Sequence, residues 1–290
     1  MKLGIDIGST TLKAVILDGQ NRIIYQSYER HLSNIRQVLQ NKIEELGSYL
    51  KGESIKVAIT GSAGLGIPGQ SGIPFVQEVF ATAEGVKRFY PQTEVVIELG
   101  GEDAKIIFLK GVPEERMNST CAGGTGAFID QMATLLDVTP AQMNRLAEQH
   151  TTIYPIASRC GVFAKTDIQA LLNQGAAKED VAASIFQAVV GQTISGLAQG
   201  RPITGRVLFL GGPLAFLPEL RRRFTETLQL SDDMAVFPQN GEHFVALSCA
   251  CCAENTEQEY SYEQLVRVLT GLNFAGELTG GLKPLFESEL

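Results

Sequence analysis

The chain has 290 residues, 44% of them hydrophobic and 19% charged, with a formal net charge of −8. This composition excludes a largely disordered chain and leaves room for one large or two medium domains, each with a real core. The acidic balance excludes a broad nucleic-acid surface, and the densest basic run, "ELRRRF", falls on an amphipathic helical pattern whose solvated face accounts for it.

In chain order, "MKLGIDIGST" enters a strand pattern directly, without the apolar run and cleavage site of a secretory signal. No later stretch is expected to reach the length of a membrane span, so a cytoplasmic protein without a membrane partner is the expectation. Residues 3–28 read as three strands, 34–50 as a helix and 55–60 as a strand ending in "TGSAG"; residues 94–118 repeat the three-strand pattern. Helical patterns dominate 126–199. A strand at 206–210, a helix at 217–229, a short strand near 234–237 and a helix at 242–253 follow. The alternation predicts two α/β domains, 1–93 and 94–255, with 256–290 as a C-terminal extension or linker.

The repeat is explicit in the residues. "IDIGSTTLKAVIL" (5–17) lies over "IELGGEDAKIIFL" (97–109), matching Ile5 with Ile97, Asp6 with Glu98, Gly8 with Gly100, Lys13 with Lys105 and Leu17 with Leu109. Each copy is a β-hairpin whose first strand ends in an acid before a glycine turn. Gly8 and Gly100 let backbone approach an anion, the N–H groups of Ser9, Thr10 and Thr11 can form a nest, and strand-end carboxylates can hold Mg²⁺ through water. Either copy alone is also compatible with an ordinary tight hairpin. Two copies in register point to a polyphosphate held from both sides. In "GRVLFLGGPLAFLPELRRRF" (205–224), Gly211, Gly212 and Pro213 follow a strand, where bare backbone can accept a flat base or simply make a tight turn.

The five cysteines, Cys121, Cys160, Cys249, Cys251 and Cys252, show no disulfide-like framework, as expected of a reducing compartment. Cys121 and Cys160 each precede a helical pattern, so unpaired N–H groups and the helix dipole are expected to favour a thiolate there. Cys249 and Cys252 share a helix face at i and i+3 and read as packing residues.

Together, "GIDIGSTTLKAVI", "IELGGEDAK", "NSTCAGGTGAF" and "LFLGGP" resemble the motif pattern of the actin, sugar kinase and Hsp70 ATPase superfamily. Within it, "CAGGTGAFIDQMA" and "SRCGVFAKTDI" are similar to the BadF/BadG/BcrA/BcrD family, the activators of 2-hydroxyacyl-CoA dehydratases and ATPase subunits of benzoyl-CoA reductase. The resemblance covers residues 3–253. It implies two ribonuclease H-like (actin-like ATPase) domains with a nucleotide cleft between them, binding ATP or ADP with Mg²⁺. Asp6 and Glu98 would hold the metal and Asp103 would position the attacking water. Lys13, Gly101, Lys105, the turn Gly123, Gly124, Thr125 and Gly126, and Asp130 toward a ribose hydroxyl would complete the nucleotide site. Family members often carry a basic residue where this chain has Ala127 and a glutamate where it has Asp130.

The resemblance also implies a [4Fe–4S] cluster. Two cysteines per chain are too few for four thiolates, so Cys121 and Cys160 of two copies in a homodimer would share one cluster; a bridging Zn²⁺ matches the ligand count but not the chemistry. The implied function is delivery of single electrons, drawn from a donor such as ferredoxin or flavodoxin, to an Fe–S dehydratase or reductase component. The tail "GLNFAGELTGGLKPLFESEL" resembles a linker of the longer fused activators, so tandem modules could replace the homodimer. Two rivals remain: a kinase of the N-acetylglucosamine kinase type with Asp103 as base, which leaves the paired cysteines unexplained, and an actin-like assembly protein.

Overall fold

β1 (Lys2–Ile7), KLGIDI, is buried along its whole length although it carries Lys2 and Asp6, the mark of a strand covered on both faces. It is the central strand of the first of two compact units in the computed structural model, which describes residues 1–118, 123–158 and 160–272. The first unit comprises Met1–Gln77 and the chain from Cys249 onward; the second is Glu78–Ser248.

In the first unit β1 pairs antiparallel with β2 (Thr11–Leu17), which pairs with β3 (Ile23–Arg30). α1 (Ile35–Leu50) then crosses to β4 (Lys56–Thr60), which lies parallel to β1, giving the order β3-β2-β1-β4. The short α2 (Pro68–Ser71) follows. α3 (Glu78–Phe89) opens the second unit. There β5 (Val95–Leu99), β6 (Ala104–Phe108) and β7 (Glu114–Met117) repeat the meander. The helical run is α4 (Gly126–Leu135), α5 (Pro140–Ala147), α6 (Gly161–Asn173) and α7 (Lys178–Thr193). β8 (Val207–Leu210) then lies parallel to β5, followed by α8 (Gly212–Phe216), α9 (Pro218–Leu228) and β9 (Ala235–Val236). The order β7-β6-β5-β8-β9 matches the first sheet with one strand added.

Each sheet buries both faces. In the first, Leu3, Ile5, Ile7, Val57 and Ile59 pack under α1, while Ala58 on the other face meets Cys249 of α10 (Phe244–Cys252) and Ala253. Cys249 is a packing residue, as its helical spacing suggests; burial, and after it the neighbouring Cys252 and Asp6, pushes its thiol pKa up and keeps it protonated. In the second, Ile97, Leu99, Ile106 and Phe209 face the helical layer, and Val96, Ile107 and Leu208 face Val86 and Phe244.

Three elements depart from the sequence expectations. α3, which the periodicity left unassigned, lies before the expected boundary at 93 yet belongs to the second unit, because Val86 packs on its sheet. α11 (Tyr262–Thr270) falls in the stretch expected as a linker from 256, but Tyr262, Leu265 and Leu269 close the core over α1, and Ser261 caps it with Gln264. No membrane-length stretch was expected, yet Lys178–Ala198 is by length and composition long and apolar enough to cross a membrane; 72% of its apolar window is buried, as the central helix of the second unit's core.

The duplicated topology has a shared steric requirement. Gly61, after β4, has φ +97°, and a Cβ there would overlap the carbonyl of Ile7; Gly211, after β8, has φ +94°, and a Cβ would overlap the carbonyl of Leu99. Ile7 and Leu99 are themselves equivalent positions of the repeat. Gly61→Ala is expected to destabilise the protein by about 2–4 kcal/mol, since left-handed strain and overlap with backbone act together. Gly19→Ala, whose added Cβ meets nothing within 4 Å, serves as the control in urea unfolding; equal midpoints for the two variants would contradict the requirement.

Candidate functional site

The acids one residue before the ends of β1 and β5 each face a lysine across the hairpin, because the ladder registers Asp6 with Lys13 and Glu98 with Lys105. Lys13 Nζ lies 2.8 Å from Asp6 Oδ2, and both groups are largely buried. Between them the chain turns through Gly8, Ser9, Thr10 and Thr11, closed by the Gly8 N–H donating to the Thr11 carbonyl at 2.9 Å.

The second hairpin is more heavily charged. Lys105 Nζ lies 2.6 Å from Asp103 Oδ2 and 3.9 Å from Glu98 Oε1, and it also pairs with Glu78 at the start of α3. Burial alone would depress this lysine, but Glu98, Asp103 and Glu78 outweigh it and hold its pKa well above the usual value. Three carboxylates thus share one ammonium. Glu78 is a site residue that the sequence reading missed, since nothing in the hairpin motif points 27 residues upstream.

Gly100 and Gly101, in the turn of that hairpin, are held by the start of α4: the Gly126 N–H donates to the Gly100 carbonyl at 3.0 Å and the Ala127 N–H to the Gly101 carbonyl at 2.7 Å. The glycine-rich turn and the hairpin are therefore one assembly. This corrects the expectation that the leading N–H groups of α4 are unpaired, because two of them are engaged by the hairpin. Gly124 takes φ +81° against Gln192 and Thr193, Thr125 is fully buried as the N-cap, and Asp130 lies in the second turn of the helix. Asn118, also missed, completes the brace: the Ala104 N–H donates to its Oδ1 at 2.6 Å. Gly212 and Pro213 open α8 beside the Gly211–Leu99 contact.

Cys121 lies outside the described residues. Cys160 is the partly exposed N-cap of α6, at the end of an irregular stretch tied to two helices. The Thr151 and Thr152 N–H groups donate to Asp180, that of Tyr154 to Ser184, and that of Ala157 to Asp167. Beside it Val162 and Phe163 are 72% and 66% exposed, an apolar tip on the helix start. Among the described residues no group of three or more His, Cys, Asp or Glu side chains forms a metal cage.

Residues 3–228 match the BadF/BadG/BcrA/BcrD ATPase family. The chain is 33% identical over 221 residues to the (R)-2-hydroxyglutaryl-CoA dehydratase activating ATPase of Acidaminococcus fermentans, covering 72% of this chain and 82% of that protein. It is 32% identical to the activator of lactoyl-CoA dehydratase of Anaerotignum propionicum, covering 72% and 82%. Among solved structures, the activator of 2-hydroxyisocaproyl-CoA dehydratase from Clostridium difficile with bound ADPNP superposes with TM-score 0.74 at 25% identity, covering 94% of this chain and 98% of that one. The chain belongs to the BadF/BadG/BcrA/BcrD ATPase family, and its fold is that of the actin-like ATPases. Likeness to a sugar-kinase structure is of fold alone, at 14% identity.

Removing Lys105 while leaving its carboxylates tests the charge balance. Lys105→Met is expected to cost about 3–5 kcal/mol at pH 7, the cost of uncompensated buried charge. The sign follows from proton linkage. With the ammonium gone, repulsion raises the folded-state carboxylate pKa values, so the deficit should shrink as acid protonates them between about pH 7 and 5. The raised pKa of Lys105 itself adds stability at every pH below the normal lysine value, so the wild type loses none of that contribution over the same range. A pH-independent deficit in paired urea titrations would contradict this balance.

Proposed function

We propose that the protein is an ATP-dependent activator that delivers single electrons to an Fe–S enzyme of the 2-hydroxyacyl-CoA dehydratase or benzoyl-CoA reductase type. The observation that carries this reading is the duplicated acid–lysine hairpin, built twice with the same ladder register in a chain one-third identical to a dehydratase-activating ATPase.

ATP is the nucleotide. Each unit offers a turn suited to phosphate: Gly8–Ser9–Thr10–Thr11 with the charge of Lys13 in the first, and Gly100–Gly101 with the charge of Lys105 in the second, where Gly123, Gly124, Thr125 and Gly126 back the turn and Asp130 would reach the ribose. Gly211, Gly212 and Pro213 offer flat backbone to the base. The carboxylates of Asp6 and Glu98 suit a hard cation such as Mg²⁺ held through water, and bound Mg²⁺ would neutralise charge on the phosphates. Asp103, with its side chain about one-third exposed and paired with Lys105, would orient the attacking water and take its proton.

Cys160 fits an Fe–S site in donor chemistry and position: a partly exposed thiol at a helix start, whose soft sulfur suits iron. With Cys121 and the same pair from a second copy it would provide the four thiolates of a [4Fe–4S] cluster, which supplies a one-electron couple when bound. The exposed Val162 and Phe163 beside Cys160 are the surface such a homodimer would cover. The electron donor is of the ferredoxin or flavodoxin class, and the setting is the cytoplasm.

Two measurements test the reading. Asp103→Asn should bind ATP as the wild type does while phosphate release falls roughly 100-fold, the effect of a lost general base; an unchanged rate would remove Asp103 from that role. Protein purified without oxygen should hold about four irons per two chains. Cys160→Ser should lose iron and dimer but keep ATP binding, and Cys249→Ser should keep all three. Iron retained in Cys160→Ser would refute the shared cluster.

A further inference from the structure

In both hairpin turns carbonyls are engaged from outside by different donors, and one pair of them, Gly8 and Gly100, is equivalent in the repeat. In the second, the carbonyls of Gly100 and Gly101 accept from the first N–H groups of α4. In the first, the carbonyl of Gly8 meets the ring Nε2 of His31 at 3.0 Å, and that of Thr10 accepts the His31 backbone N–H at 3.1 Å. His31, at the end of β3, is 3% exposed.

Its hydrogen bonds dictate its proton. The Ser33 N–H donates to Nδ1 at 3.1 Å, so Nδ1 must present its lone pair. The Gly8 carbonyl can only accept, so Nε2 must carry the hydrogen. A neutral ring protonated on Nε2 satisfies both. The segment that follows is held against its own preference, since Leu32 and Ser33 take φ +46° and +65°, the left-handed region that side chains other than glycine seldom enter. The Ser33 bond to the ring is one contact that keeps it there.

Peptide planarity gives this anchoring a consequence for the turn. A carbonyl and the N–H of the next residue point in opposite directions, so fixing the Gly8 and Thr10 carbonyls toward His31 turns the N–H groups of Ser9 and Thr11 away from it. Those are members of the proposed phosphate nest. We propose that His31 is a positioning residue for ATP binding, performing for the first phosphate turn, with a ring N–H, what the N-terminus of α4 performs for the second. The inference rests on the nucleotide reading of the hairpins.

The test pairs a binding measurement with a spectroscopic one on the intact 290-residue chain. His31→Phe fills the space but cannot donate, and should raise the KM and the dissociation constant for Mg-ATP roughly 10-fold, the effect of leaving a buried carbonyl unpaired. Its kcat at saturating ATP should stay within about two-fold, because Asp103 is untouched. His31→Gln, which restores an N–H near the Nε2 position, should recover part of the loss. In the wild type, nitrogen-15 shifts of the three histidine rings should include one neutral ring protonated on Nε2 that disappears in His31→Phe. Wild-type ATP affinity in His31→Phe, or a wild-type His31 ring protonated on Nδ1, would overturn the proposal. Failure of the wild type itself to bind Mg-ATP would overturn the nucleotide reading, and this inference with it.

Discussion

At Gly61 and Gly211 the backbone leaving a parallel strand passes over the last carbonyl of the strand beside it, at Ile7 and Leu99, in a space no side chain can share. The contact fixes how closely β4 follows β1 and β8 follows β5, so each central strand is held between an antiparallel hairpin partner and a parallel neighbour. The final acids of those strands, Asp6 and Glu98, are consequently buried at set positions on a rigid sheet. A functional carboxylate on a central strand is positioned far more firmly than one on a loop. The arrangement would collapse if the glycines did not permit the approach.

Burying an acid has an electrostatic cost, and the hairpin register offsets it by placing a lysine opposite each one. Across β1 and β2 the balance is one to one, Asp6 with Lys13. Across β5 and β6 it is not, since Glu98, Asp103 and Glu78 converge on Lys105. An excess of negative charge next to a turn is costly alone and favourable beside a cation, which makes the second hairpin the more polarised of the two. Charge arranged in advance of the reaction is how a site stabilises developing charge without reorganising.

The two units share a topology but not their bracing. The second turn is tied to α4 and to Asn118, so the glycine-rich turn after Cys121 and the phosphate hairpin behave as a single piece. On the proposed ATP reading, movement of that hairpin would pass to α4 through these hydrogen bonds. The stretch before Cys160 is tied separately, to α6 and α7, through Asp167, Asp180 and Ser184. Hydrogen-bonded elements of this kind are a physical means by which one site can bias another.

Much of this was legible in the residues because the decisive signals are local. Strands of five to eight residues, the acid before a glycine turn and the lysine seven places on are short-range patterns, and their recurrence at an offset of 92 residues identified two copies of one hairpin. The cysteine motifs added the family. What the sequence by itself determined was therefore the pair of hairpins, the acid and lysine that each carries, and the helix start that carries Cys160. Only tertiary structure decided which distant groups complete them: Glu78 joining Lys105 from the start of α3, His31 reaching Gly8 from the end of β3, α4 spending two N–H groups on the second turn, and α11 closing the core over α1. Each depends on where a packed helix or strand ends in space. Periodicity records which face of an element is buried, but not which turn its first residue meets.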